Sequence, residues 1–401
     1  MKLFGINGNK LNEKLAHNDD TKARRAGSEK KPRPASPSVP SVVSVAKRFG
    51  AGAFSLCVLF GAALAVLWPL PACDLPEKFP EFTGDISVGP FVKYATNPIL
   101  PRGEAGAFDS AAVAGPAVIE EEGGRLRMYY GAVDAAGLQT IGTATSQEGL
   151  VWERRSVGPV LTPTAGSFDE AGVSDPSAIY DGSQYWVFFT GWDAGGTPRI
   201  GLASSGDGVT FEKAPAPIME SGGEGAYDSA GVAEPCAVFD EGRSKFLLYY
   251  TGYNQYGQGS IMLAVSDDGQ TWTRYGIESG LAQPALGPAT EEEGAFDSDS
   301  VGGPSVLFVT SREGRALLRL WYSGSQAGGS VHVGLAGSGG SEEQTGGYNW
   351  ERYPANPVAH YARSPSVVSY GANLYMYYNE LPQDESAGIS LATRLELSRE
   401  E

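Results

Sequence analysis

Two carboxylates stand at positions that the rest of the chain fills with other residues. Five segments share one pattern: "AVAGPAVIEE" from 112, "GVSDPSAIYD" from 172, "GVAEPCAVFD" from 231, "SVGGPSVLFV" from 300 and "YARSPSVVSY" from 361. The residue before the proline is Gly115, Asp175, Glu234, Gly303 and Ser364 in turn. A feature present in every copy is most simply a packing or turn device, whereas one confined to two copies is not needed to build the copy. Asp175 and Glu234 are therefore the candidates for chemistry. Two carboxylates held close resist joint ionisation, and partial burial lifts their pKa further. One of the pair then keeps a proton at neutral pH and can act as a general acid, a role expected of Glu234 with Asp175 raising its pKa.

The elements that position these acids follow from the repeats. Aromatic-Asp pairs at Phe108-Asp109, Phe168-Asp169, Tyr227-Asp228 and Phe296-Asp297 recur at intervals of 60, 59 and 69 residues, and a glycine-rich insertion at 337–347 follows the last of them. Each unit continues with the proline-containing strand, an aromatic strand such as "LRMYYGA" or "FLLYYTG", a Gly/Ala strand such as "TIGTATS", and a hairpin into a fourth strand. Four strands per unit repeated at this period predict an all-β, five-bladed β-propeller of four-stranded blades. The blades are expected at about 105–161, 165–220, 224–285, 293–358 and 360–396 within a propeller over 85–401. The fifth lacks an outer strand, and "FVKYATNPIL" at 91–100 reads like "WERYPANPV" at 350–358, so residues 86–100 are expected to close it and leave no open edge. Every inner strand then starts on one face of the disk, which makes Asp175 and Glu234 neighbours on the rim of one funnel.

Loops between second and third strands return to that face. They bring Asp134, Trp192, Asp193, Tyr253, Asn254 and Tyr256, a mixture of aromatic plates and hydrogen-bonding groups suited to sugar rings. Arg363, one residue before Ser364, has no counterpart in the other blades and could hold an anionic or hydroxyl-rich ligand. Asp109 recurs across blades and reads mainly as structural, bonding backbone groups at its turn, yet it stays a binding candidate because blade 1 has no acid at Gly115. His332 and His360 lie too far apart in blade position to suggest a metal pair, no zinc spacing exists, and no cofactor is called for.

These motifs resemble the five-bladed arabinanase, β-xylosidase, levansucrase and invertase superfamily of glycosidases. The likeness rests on "SDPS" in blade 2, "AEPC" in blade 3 and the hairpins from Ser146 to Trp152, Ser205 to Phe211 and Ser266 to Trp272, and it covers 86–396. In that superfamily the first three blades each place a carboxylate at the funnel: a base or nucleophile Asp, a supporting Asp before Pro, and a general-acid Glu. Asp175 matches the second and Glu234 the third, while Gly115 departs from the first. The resemblance implies a glycosidase acting on a furanoside or pentose-containing glycan. The departure keeps a second reading open, a carbohydrate-binding propeller without catalysis, because glycoside hydrolysis ordinarily uses two carboxylates in opposed roles.

Charge and hydropathy divide the rest. The chain carries a net charge of −17, although its first 48 residues are strongly basic. An acidic propeller is a poor partner for phosphate backbones, so nucleic acid is not expected. Residues 1–48 read as a disordered basic tail, 49–70 as a transmembrane signal-anchor and 71–84 as a linker. The uncharged run from Phe49 to Trp68 has roughly the 20-residue length of a spanning helix, and Lys47 and Arg48 before it place the N-terminus in the cytoplasm. The propeller is then expected in the secretory-pathway lumen or outside the cell, with a cleaved or plastid-directed signal as the alternative.

Overall fold

The computed structural model describes residues 91–278, 280–289, 295–310, 316–339, 350–371, 373–381 and 388–395. The expected tail, apolar segment and linker lie outside the described residues, as does most of the insertion at 337–347. No helix among the described residues is long and apolar enough to cross a membrane.

The described residues form strands and no helix, and apart from the short hairpin of Ile277–Glu278 and Leu281–Ala282 these make five four-stranded antiparallel units in a β-propeller-like array. The first holds Ala112–Glu120, Leu126–Val133, Gln139–Ser146 and Glu153–Arg154. The second holds Gly172–Tyr180, Tyr185–Trp192, Pro198–Ser205 and Glu212–Lys213. The third holds Gly231–Asp240, Lys245–Tyr253, Gly259–Ser266 and Thr273–Arg274, and the fourth Ser300–Thr310, Ala316–Ser325, Val331–Gly339 and Glu351–Arg352. The fifth is Ala362–Tyr370, Asn373–Glu380 and Ile389–Leu395, completed by Val92–Lys93, with Val92 opposite Thr393 and Lys93 opposite Ala392. Asn97 locks that closure by donating to Leu391 O at 2.9 Å and accepting from Leu391 N at 2.8 Å. Asn356 makes the same pair with Leu335 in the fourth unit, which is the structural content of the shared Asn-Pro.

The paired aromatics of each second strand are fully buried, Tyr129-Tyr130 and Tyr249-Tyr250 among them. They fill the wedge between neighbouring units: Tyr129 packs with Val173, Val187 and Phe189, and Trp321 with Val367 and Met376. Burying such side chains is the main favourable contribution to folding here. The tight hairpins keep their glycines at positive φ, +79° at Gly149 and +74° at Gly208, where a Cβ is disfavoured.

A second set of contacts runs around the axis. The small residues two places after the variable position do more than relieve crowding. Ser177, Cys236, Ser305 and Ser366 each accept the backbone N–H of a residue in the next unit: Ala237 at 2.9 Å, Val306 at 3.3 Å, Val367 at 2.9 Å and Val118 at 3.1 Å. Ala117 has no acceptor to offer. At that junction, between the first and second units, Gln139 pairs directly with Gly172 in parallel, and Arg127 and Tyr129 donate to Gly208 O at 3.2 and 3.1 Å.

Candidate functional site

Each inner strand carries a bulge at its X-Pro pair, where the register with the second strand slips. Proline has no N–H to give a ladder, so a bulge is where a strand tolerates it. The residue before it adopts the left-handed conformation in all five units: φ is +56° at Gly115, +47° at Asp175, +51° at Glu234, +54° at Gly303 and +51° at Ser364. Glycine is the natural occupant of such a position. An Asp, Glu or Ser there costs on the order of 1 kcal/mol of backbone strain. The five X-Pro pairs together line one axial opening.

The bulge frees each X residue's N–H from the ladder, and in four of the five units a side chain of the preceding unit takes it up. Gly115 N donates to Asn379 Oδ1 at 2.8 Å, Glu234 N to Thr190 Oγ1 at 2.9 Å, Gly303 N to Thr251 Oγ1 at 3.0 Å and Ser364 N to Ser323 Oγ at 2.9 Å. The corresponding residue before Asp175 is Gly131, which has no side chain to accept. These acceptors occupy one sequence position, directly after the paired aromatics. Their signal was visible in the sequence as Gly, Thr, Thr, Ser and Asn in five aligned strands, but nothing there disclosed a shared task.

Around the acids this ring acquires a second duty. Glu234 Oε2 receives the Thr251 hydroxyl at 2.6 Å and the Gly303 N–H at 2.7 Å. Asp175 Oδ2 receives the Ser174 hydroxyl at 2.7 Å, and Ser174 is itself held by the Trp192 indole N–H at 2.9 Å. Burial lifts the Asp175 carboxyl above its ordinary range, opposed by the Ser174 hydroxyl, the charge of Arg363 and the Thr190 hydroxyl. Burial lifts Glu234 too, the negative charge of Asp175 lifts it further, and Thr251, the Gly303 N–H and Arg363 oppose. The repulsion is mutual, so the two carboxyls titrate as a pair and one of them keeps its proton above the ordinary carboxylate range. Arg363 feels both carboxylates while burial pulls its guanidinium below the usual range. Burial and the charges of Glu234 and Asp175 push the Tyr253 phenol well above its ordinary value, which keeps it a neutral donor.

Asp175, Glu234, Arg363, Tyr253 and Trp192 are thus brought together, though Trp192 spends its N–H on Ser174. Four other expected binding residues are corrected. Asp109 is fully buried and accepts from Tyr130 Oη at 3.1 Å and Arg154 Nε at 2.7 Å, away from the funnel and through side chains rather than backbone groups. Asp228 and Asp297 repeat this with Tyr250 and Arg274, and with Tyr322 and Arg352. Asp134 Oδ1 accepts the N–H groups of Ala136 and Leu138. Asp193 Oδ1 accepts those of Gly195 and Thr197 and its Oδ2 pairs with Arg199, while Asn254 Oδ1 accepts those of Tyr256 and Gln258. These three occupy equivalent loop positions and are turn devices.

The separation of His332 and His360 is also corrected, since their ring centroids lie 5.2 Å apart. His332 Nδ1 accepts the Tyr361 N–H at 3.1 Å, so the neutral ring carries its hydrogen on Nε2 and has no lone pair there for a metal. Among the described residues, no group of three or more His, Cys, Asp or Glu side chains could hold a metal ion.

No family model matches the chain. It is 30% identical over 233 residues to Uncharacterized protein MT1551 of Mycobacterium tuberculosis, a match covering 56% of this chain and 72% of that protein. A shorter match, 30% identical over 135 residues, covers 31% of this chain and 44% of the 1,2-beta-oligomannan phosphorylase of a Thermoanaerobacter species. Among solved structures, a glycosyl hydrolase from Bacteroides ovatus superposes with a TM-score of 0.61 at 19% identity over 77% of this chain and 94% of that one. The Listeria innocua beta-1,2-mannobiose phosphorylase, in complex with beta-1,2-mannobiose, gives 0.56 at 14% identity over 76% and 97%. A structure described under the GH130 family of mannoside phosphorylases, containing glycoside hydrolases that target beta-1,2 mannosidic linkages, gives 0.60 at 18% over 77% and 94%. The structural likenesses establish the fold, that of propeller proteins described as glycoside hydrolases and mannoside phosphorylases.

Proposed function

We propose, from the premise that this chain belongs to the family of the Mycobacterium tuberculosis protein MT1551, that its funnel is the active site of a glycan-processing enzyme cleaving a β-mannosidic linkage. The observation that carries this is the asymmetry of the axis: of five equivalent bulges only two bear carboxylates, and both feel the charge of one half-buried arginine, Arg363. The mannoside, in place of the furanoside or pentose glycan that the motifs imply, is favoured by what the matched phosphorylase and the solved neighbours are named for.

In this reading Glu234 gives its proton to the glycosidic oxygen as the bond to the anomeric carbon breaks. Asp175 keeps Glu234 protonated by its charge and accepts a substrate hydroxyl. Tyr253 donates to the ring substituents. Gly115 offers no carboxylate to activate water, and Arg363 supplies a positive charge, so an inorganic phosphate oxygen is the attacking group; it forms the new bond to the anomeric carbon, and a phosphate proton restores Glu234. The products are a sugar phosphate and a shortened glycan.

The experiment incubates the protein with β-1,2-mannobiose, with and without inorganic phosphate, alongside arabinofuranosides, fructofuranosides and xylosides. Phosphate-dependent mannose release, lost by 100-fold or more in Glu234→Gln, is expected, roughly the worth of a general acid. Release without phosphate indicates hydrolysis instead. Gly115 motivates a second reading, carbohydrate binding without catalysis, which predicts affinity without product and no response to Glu234→Gln.

A further inference from the structure

The ring of acceptors after the paired aromatics contains three hydroxyls, and they are not in the same situation. Thr190 and Thr251 are fully buried, each beneath the carboxylate of its own unit. Thr251 accepts the N–H of Gly303 and so turns its own hydrogen to Glu234 Oε2. The Thr190 hydroxyl accepts the N–H of Glu234 and steadies the ionised form of Asp175. Ser323 likewise accepts the N–H of Ser364, but its own unit has Gly303 where the others have an acid. Among the described residues the Ser323 hydroxyl donates no hydrogen bond, and the side chain is half-buried rather than sealed.

The volume that a side chain at Gly303 would occupy is bounded by functional atoms. A Cβ built there would lie 3.1 Å from Ser323 Oγ, 3.8 Å from Glu234 Oε2 and 3.6 Å from the Ser364 Cα. We infer that Ser323 is a ligand-binding residue, and that the vacancy over Gly303 is a subsite for a sugar hydroxyl. A hydroxyl is the group that fits, because it can accept from Ser323 and donate to the Glu234 carboxylate in one position. A phosphate oxygen could accept from Ser323 but would meet the negative charge of the acid pair. The inference rests on the carbohydrate reading of the funnel and adds to it where one hydroxyl of the substrate is read.

The test measures β-1,2-mannobiose binding by calorimetry for the full chain and three variants, each checked for an unchanged melting profile. Ser323→Thr keeps the hydroxyl, as Thr190 and Thr251 do in the same ring position, and should bind within about twofold of the parent. Ser323→Ala should weaken binding roughly tenfold, the worth of one hydrogen bond. Gly303→Asn leaves the bond from Ser364 N intact, accommodates the left-handed φ and fills the vacancy; it should weaken binding at least as much. Parent-like affinity in Gly303→Asn overturns the subsite, whatever Ser323→Ala does, since Ser323→Ala also strips the Ser364 N–H of its acceptor. Should the parent not bind the disaccharide, the mannoside reading fails, and crystals soaked in glycerol decide the subsite alone. A glycerol hydroxyl within hydrogen-bonding distance of both Ser323 Oγ and the Glu234 carboxylate upholds it, and a funnel without glycerol there, or with phosphate there in a phosphate soak, overturns it.

Discussion

Burial and the charge of Asp175 raise the pKa of Glu234 while the charge of Arg363 opposes them, and each charge can be removed separately. Asp175→Asn deletes the negative charge beside Glu234, so Glu234 releases its proton more readily and the basic limb of the activity profile should move to lower pH. Arg363→Met deletes the positive charge that favours ionisation of Glu234, and the same limb should move to higher pH. A pH–rate series on the two variants checks both signs, and shifts in one common direction would contradict the assignment. Stability follows by linkage. A carboxyl whose folded pKa is raised binds its proton more tightly in the folded than in the unfolded chain, so stability is gained as pH falls through the raised value and lost as pH rises through it. Glu234→Gln should therefore raise the melting temperature at pH values above that point and leave it unchanged well below, where Glu234 is protonated in both states.

At the scale of the element, the bulge explains why the variable position varies. The left-handed conformation and the escaping N–H are constant in all five inner strands, and only the side chain is free to change. Ser364 offers a clean measure of the strain, because its N–H bond to Ser323 does not involve its own hydroxyl. Ser364→Gly should stabilise the chain by about 1 kcal/mol in urea denaturation, the usual cost of a non-glycine residue in this region. The asymmetry of Asp175 and Glu234 was legible in the sequence because the repeats act as their own control. The same control, applied to Asp134, Asp193 and Asn254, marks them as equivalents that close three loops. Considered one at a time as sugar-binding groups, they lost that signal. The hydroxyl ring was not legible, since Thr190 and Thr251 become partners of the acids only when a bulge in one unit meets the second strand of the one before.

At the scale of the whole molecule, the axis converts five similar units into one dissimilar site. The junction between the first and second units lacks both side-chain bridges, at Gly131 and Ala117, and is joined instead by the Gln139–Gly172 pairing and by Arg127, which is also paired with the buried Glu121. The placement of this array in the cell is a separate proposal: we propose that the apolar run at 49–70 anchors it across a membrane from the basic tail. The full chain expressed in cells should stay with membranes through alkaline carbonate washing, and a truncation beginning after residue 84 should not. Recovery of the full chain in the carbonate supernatant would dismiss the anchor.

The repeats, the strand order, the closing N-terminal strand and the odd pair of acids were determined by sequence alone, because local periodicity and turn chemistry are written in neighbouring residues. Tertiary structure alone decided which polar groups stay free for a ligand. A carboxylate or backbone N–H satisfied by a residue tens to hundreds of positions away, as Asp109 is by Arg154 and Gly115 N by Asn379, looks the same in sequence as one that is not. Hydrogen-bond satisfaction inside a protein is a matter of distance and direction, and only the closed ring sets those for Glu234 and Ser323.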